Sequence, residues 1–303
     1  MAVGVTPISI IVPVRNEGGR LVQMALSAIR GRSCCFPLEF VIVDDASGDE
    51  ACARVHEVLE PSQEVVVTSH RLEHWSGIPF ARNRGAALAN FPIYVITDAN
   101  THFPANWDLP IWRHLCPGRV LAATIFDLES SLRGYGCELL LPSMGVRWIG
   151  RSGSYGGYVP VSPCTCTVID RILFHQLGGY DETMPIYGAA EPEFSVRLWL
   201  SGYEIVNIPD FYIHHRFRPR NEHELFCTSI REILLRNYLR FASYYLPEDL
   251  LSRAYDYYRV RYPSEIDRCL LDLRETNVWS RRSELKRELP LDFRWFMRRF
   301  ALS

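Results

Sequence analysis

Two acidic clusters in the first hundred residues of this 303-residue chain have the side chains for phosphate and metal chemistry. Asp98-Ala99-Asn100 places two oxygen-bearing side chains at alternate positions just after the apolar run Tyr94 to Thr97. That spacing suits a hard divalent cation shared with a diphosphate, because magnesium and manganese take carboxylate, amide and phosphate oxygens. The same Asp-x-Asn is equally a turn former. Asp44-Asp45 follows the apolar run Phe40 to Val43. Its carboxylates can accept hydrogen bonds from a base or a ribose, or cap the next helix. A third polar cluster, Arg15 to Glu17, follows Ser9 to Val14. Farther on, Glu191 and Glu193 flank Pro192, and His214-His215 lies between Phe211 and Phe217. An acidic residue before proline is a good helix start, so Glu191 by itself reads as a cap. Of the 33 Lys and Arg residues only Lys286 is lysine, so a phosphate must be met by arginine, backbone N–H groups or a metal.

These clusters need a scaffold, and the apolar pattern supplies one. Ser9 to Val14, Phe40 to Val43, Glu64 to Thr68 and Tyr94 to Thr97 are buried strands, separated by helices over 21–29, 50–60 and 78–89. Apolar runs rather than alternation predict an α/β fold with a parallel sheet covered on both faces. In such sheets ligands bind beyond the carboxyl ends of the strands, where all three polar clusters lie. No G-x-G-x-x-G follows the first strand, which argues against a dinucleotide fold. Further strands are expected at Val120 to Phe126, Thr165 to Ile169, Ile205 to Ile208 and Phe211 to Phe217. Helices are expected over 170–177 and 191–201, and Gly150 to Gly157 is a flexible loop and a candidate lid. After Pro219 the patterning is helical, beginning with one helix marked by Phe226, Ile230, Ile233, Leu234 and Phe241. The expected division is a domain over 1–219 and a helical extension over 220–303 packed on it.

Composition narrows the function classes. With 48% hydrophobic and 22% charged residues the chain is globular, and a net charge of −2 argues against a nucleic-acid binder. Nine cysteines include the close pairs Cys34–Cys35 and Cys164–Cys166, but no C-x-x-C zinc spacing. Pro7 and Pro13 interrupt the N-terminal apolar run, which makes a poor signal peptide, and no run reaches the ~18–20 residues of a membrane span. A cytoplasmic protein, at most peripheral to the inner face of a membrane, is the expectation.

Five segments also resemble, in order, family 2 glycosyltransferases of the GT-A fold: Ser9 to Glu17, Phe40 to Glu50, Ala81 to Ala86, Tyr94 to Asn100 and Gly178 to Trp199. The last is also similar to the region shared by polypeptide N-acetylgalactosaminyltransferases and chondroitin-type polymerases, with Glu193, Ser195, Arg197 and Trp199 matching E-x-S-x-R-x-W. The resemblance implies a Rossmann-like, mostly parallel sheet flanked by helices. It implies a metal-dependent, inverting transfer of a hexose or N-acetylhexosamine from a UDP-sugar to a glycan, lipid-linked or peptide acceptor. By the same resemblance Asp45 would accept a hydrogen bond from uracil, with Asp44 and Glu17 nearby. Pro13 and Arg15 would line the base and ribose, and Arg82 would brace the nucleotide pocket. Asp98 would meet the ribose or diphosphate. Asp98, Asn100 and His215 would hold Mn2+ or Mg2+. Glu191 would be the catalytic base, and Glu193 would order the acceptor site or a neighbouring amide.

The sequence departs from the family pattern at two places. Asn100 stands where a second aspartate is usual, and Ala190-Glu191 replaces the usual E-D. His102 is a rival metal ligand, and a buried histidine without metal is the alternative for His215. These departures keep a second reading open, a decayed sugar-nucleotide-binding or scaffold protein. A nucleotidyltransferase is weaker still, since Arg15 to Arg20 only faintly echoes its glycine-rich loop. In the tail, Phe293, Phe296, Met297 and Phe300 recur at helical spacing among arginines. Such a helix can lie on an anionic membrane or dock on the catalytic domain.

Overall fold

The structure is a computed structural model that describes residues 5–59, 64–163 and 165–302. Cys164 of the close cysteine pair and residue 60 at the end of the expected second helix lie outside these residues. The first half alternates as expected. Strands β1 (Ile8–Val14), β2 (Leu38–Asp44), β3 (Val65–Arg71) and β4 (Ile93–Thr97) are separated by helices α1 (Arg20–Arg30), α2 (Ala51–Val58) and α3 (Ile78–Leu88). Then come β5 (Thr101–His102), α4 (Asp108–His114), β6 (Arg119–Asp127), β7 (Arg133–Gly134) and the hairpin β8 (Cys137–Leu140) and β9 (Gly145–Trp148). Next follow β10 (Cys166–Asp170), α5 (Arg171–Gln176), α6 (Ala190–Leu200) and β11 (Glu204–His215).

The main sheet runs β3-β2-β1-β4-β10-β6-β11-β5, with β7 beside β6. β3, β2, β1 and β4 are mutually parallel, but β10 enters antiparallel between β4 and β6, and β5 and β7 are also antiparallel. The sheet is therefore mostly parallel rather than wholly so. Its two faces bury separate cores. From β1, Ile8, Ile10, Val12 and Val14 enter one core and Ile11 the other, which explains the unbroken apolar run. A Cβ at Gly85 would lie 2.5 Å from Ile11 Cγ2, so α3 rests directly on β1. One turn earlier on α3, Arg82 is thereby pressed against the sheet.

Three expectations need correction. The two strands expected over 205–217 are one strand, β11, with an irregularity between Asn207 and Tyr212. The Gly150 to Gly157 loop lies beside the start of β11, where Tyr158 bridges Val206, and His215 is at the other end of that strand. Tyr155 ties this loop down by stacking edge-on against Phe300 and donating to Glu138 Oε1 at 3.3 Å. It is a tethered loop, not a lid over the strand ends. The helix expected across Phe226 to Phe241 is broken at Ile230 (φ −114°, ψ 22°) into α7 (Arg220–Ser229) and α8 (Arg231–Tyr245).

The remaining helices are α9 (Glu248–Arg261), α10 (Ile266–Arg274), α11 (Val278–Glu288) and α12 (Phe293–Phe300). Phe241, Leu285, Phe293, Phe296 and Phe300 join the same core as Ile11 and Trp199, so α8, α11 and α12 share the sheet's core, whereas Ile266, Cys269 and Leu273 of α10 pack in a separate cluster. The aromatic stripe of α12 is thus interior, with Phe300 5.0 Å from Trp199 between ring centres. Of the two readings of this helix, its apolar stripe takes the docked one. Among the described residues no helix is long and apolar enough to cross one.

Candidate functional site

β1 and β4 pair from Ile8 to Ile11, and the strand order reverses between them, so the crevice beyond their carboxyl ends is the switch point where open α/β sheets bind ligands. Pro13, which has no N–H to extend that ladder, stands at its mouth. On one side, Asp44 accepts the Ser47 N–H at 2.8 Å and Arg71 Nη1 at 2.5 Å. Asp45 accepts the N–H groups of Ser76 and Gly77 at 2.7 and 2.8 Å. Each aspartate thus fixes a loop: Asp44 its own turn and Asp45 the segment entering α3. Gly77 is needed there, because its φ is +94° and a Cβ would collide with the backbone of Ile186. Arg15 lies between the two strands and donates to the carbonyls of Asp45 and Ala46 at 2.5 and 2.9 Å.

Across the crevice, Asp98 closes β4. Arg82 is 1% exposed and holds Asp98 Oδ1 at 3.1 Å through Nη2 and Glu191 Oε1 at 3.0 Å through Nη1. The ring of Tyr180 lies 5.5 Å from its guanidinium. His215, at the end of β11, approaches Asp98 Oδ2 with Nε2 at 3.8 Å. Glu17 is also close enough to feel Asp98. Burial pushes its carboxyl above the usual range, Arg20 opposes this, and the Asp98 charge adds to it.

The fit of a divalent cation can be tested on these atoms. A 3.8 Å N···O gap is too long for a hydrogen bond, yet short enough for both atoms to share one ion at ~2.1 Å. Burial lowers the pKa of His215 against the pull of Asp98, which keeps the imidazole neutral, the form that ligates. Its buried Nδ1 has no hydrogen-bond partner. Asp98 and His215 therefore fit a cation. Asn100 is tied to the exit of β11, since its side-chain Nδ2 donates to the Arg216 carbonyl at 2.9 Å, and its Oδ1 is the atom that would meet a cation. His102 turns instead to His214, its cross-strand neighbour, with ring centres 6.4 Å apart. Among the described residues no three His, Cys, Asp or Glu side chains form a metal cluster. Asp98 and His215 are two donors, and substrate and water oxygens would complete the shell of a cation held there.

Glu191 and Glu193 share the first turn of α6 but not a role. Glu191 faces Arg82 and the crevice. Glu193 is buried, with both oxygens on Arg197 at 2.9 Å and the Tyr245 hydroxyl on Oε1 at 2.6 Å. Burial works to discharge Arg197, but the Glu193 charge outweighs it and the pKa lies above the ordinary value. Arg197 also donates to the carbonyls of Leu177 and Gly179. Glu193 is therefore an anchor between α6 and α8, itself 1% exposed where Glu191 faces the crevice. Sequence reasoning missed Arg71, Ser76, Gly77 and Tyr180 as members of the site. Gly77, directly before the Ile-Pro start of α3, was the available signal.

A mostly parallel sheet with carboxylates gathered over its first two strands, and a short acidic motif closing the fourth, places this molecule in the GT-A class. Solved structures agree. It superposes on GalNAc-T7 with UDP, GalNAc and Mn2+ at a TM-score of 0.75 and 19% identity, covering 98% of this chain and 57% of that one. It superposes on the mannosyltransferase PcManGT from Pyrobaculum calidifontis, in complex with GDP-Man and Mn2+, at 0.58 and 17%, covering 97% and 85%. In sequence it is 25% identical over 260 residues to polypeptide N-acetylgalactosaminyltransferase 8 of Drosophila melanogaster, covering 80% of this chain and 44% of that protein. The chain spans about half the length of the curated relatives it matches. The pattern of Glycosyl transferase family 2 matches residues 9–176, more than half the chain, and the chain belongs to that family.

Proposed function

We propose that this chain transfers a hexose or N-acetylhexosamine from a UDP-sugar to a glycan, lipid-linked or peptide acceptor. The observation that carries this is Asp98 held between buried Arg82 and His215 at the mouth of the β1–β4 crevice. The polypeptide N-acetylgalactosaminyltransferase relatives support an N-acetylhexosamine and a peptide acceptor. Mn2+ or Mg2+, held by Asp98 and His215, would stabilise the charge developing on the leaving diphosphate. The chain's own contribution is positioning. Arg82 holds Asp98 Oδ1 at 3.1 Å and so fixes the direction in which that carboxylate faces. Arg218, exposed and stacked 5.1 Å from Phe226, is near enough to act on Glu17 and is an arginine that a phosphate could meet. Residence in the cytoplasm belongs to the same proposal, supported by the exposed free thiols of Cys34, Cys35 and Cys116.

Inversion requires a base on the sugar face opposite the diphosphate, and Glu191 is the carboxylate for it. One observation favours a second reading. Glu191 and Asp98 sit on the two terminal nitrogens of one guanidinium, so Glu191 can serve to fix Arg82 on the diphosphate side. The anomeric NMR coupling of the product separates the two. Inversion with loss of turnover in Glu191→Gln supports the base, and retention supports the Arg82 bridge.

The test of the whole proposal is calorimetric titration of UDP with and without Mn2+. Metal-dependent binding that disappears in Asp98→Ala supports a working donor site. No binding in either condition supports the decayed-protein alternative.

A further inference from the structure

We infer that Trp75, braced by Arg15, is the stacking wall of the nucleobase subsite. The inference rests on the donor reading above and deepens it. Trp75 is 39% exposed, a large aromatic surface open to solvent as Trp279 is, whereas Trp107 and Trp199 lie in the cores. It lies between β3 and α3, over the carboxyl ends of β2 and β1, where nucleotides bind in open α/β sheets. Its position is fixed by its neighbours. Ser76 and Gly77, directly after it, are clamped by both oxygens of Asp45 at 2.7 and 2.8 Å. The Arg15 guanidinium lies 4.7 Å from the indole centre and is itself held on the carbonyls of Asp45 and Ala46.

Three loops thus converge on one flat, preorganised stack at the rim of the crevice. Its chemistry is that of a planar, electron-rich ring backed by a planar cation. Such a surface takes the face of a base with little ordering cost, and the resident cation strengthens the stack. The role expected of Asp45 changes accordingly. Its carboxylate holds the Trp75 segment in place, and the base is gripped mainly through its face. Stacking of this kind is worth ~1–3 kcal/mol per base, or roughly five- to hundredfold in affinity.

The experiment compares UDP with pyrophosphate, both with Mn2+, by calorimetry on wild type, Trp75→Ala and Trp75→Phe. The expected result is a roughly five- to hundredfold loss of UDP affinity in Trp75→Ala, with pyrophosphate unchanged and most of the loss restored in Trp75→Phe. Equal UDP affinity in wild type and Trp75→Ala overturns the stacking wall and leaves the donor site standing. Parallel loss of UDP and pyrophosphate in Trp75→Ala, uncorrected by Trp75→Phe, shows a merely structural tryptophan and also overturns it. Failure of wild type to bind either ligand overturns the donor reading itself.

Discussion

Arg82 and Arg197 are both buried arginines paired with glutamates of α6, yet they do different work. Arg197 meets Glu193 four residues away on its own helix, and their side chains are 6% and 2% exposed. Tyr245 and two backbone carbonyls complete a closed network. Arg82 is buried as deeply, but its partners come from β4 and α6 and remain 24% and 11% exposed. The first arrangement satisfies every charge internally, which is how a buried pair is tolerated. The second buries the cation and leaves the carboxylates open to the crevice. A buried charge serves chemistry when its partners can still be reached by a substrate.

The contrast can be broken from either side. The largest effect is expected from Glu193→Ala, which strands Arg197 without its carboxylate. It should cost about 3–5 kcal/mol and lower the melting temperature by several degrees, with no selective effect on UDP binding in the folded fraction. Unchanged melting would contradict the closed network. Next, Asp98→Ala should reduce transfer about 100- to 1,000-fold while thermal unfolding moves little, and chelation of the divalent cation in wild type should have a comparable effect. Kinetics of the purified variant beside its melting curve decides this.

Removing only the hydroxyl of Tyr245, as Phe, should cost about 1.5–3 kcal/mol, because one hydrogen bond to a buried carboxylate is lost. Denaturant unfolding measures that, and kcat should stay near wild type. The smallest effect on stability is expected from Glu191→Gln, which keeps a group on Arg82 but drops the charge. A roughly 100- to 10,000-fold loss in transfer, the contribution of a general base, without a matching loss in stability would sharpen the distinction between the two glutamates. Equal losses of stability in Glu191→Gln and Glu193→Ala would erase it.

Much of this was legible in the sequence, for stated reasons. The strands β1, β2 and β4 showed themselves because a sheet covered on both faces needs unbroken apolar runs. Asp45 and Asp98 showed themselves because they end those runs. The break at Ile230 was hidden, since the apolar spacing continues through it and only the backbone departs from the helix. The antiparallel entry of β10 was equally hidden, because a buried strand reads the same in either direction. Glu193 showed itself through its motif, but its hydrogen bond from Tyr245 was hidden, because α8 lies some fifty residues farther along the chain. Trp75 gave no pattern at all. Its meaning comes from Arg15, sixty residues earlier in the chain.

What the sequence determined by itself is local: the apolar periods that choose strand or helix, and the short polar motifs that follow them. Tertiary structure decided which charges are closed off and which stay open. Asp45 became a clamp, Asn100 a tie to β11, and Asp98 the partner of both Arg82 and His215. The physical reason is that a carboxylate's role depends on its remaining free lone pairs and on solvent access. Both are set by segments distant in the chain, which no spacing along it records.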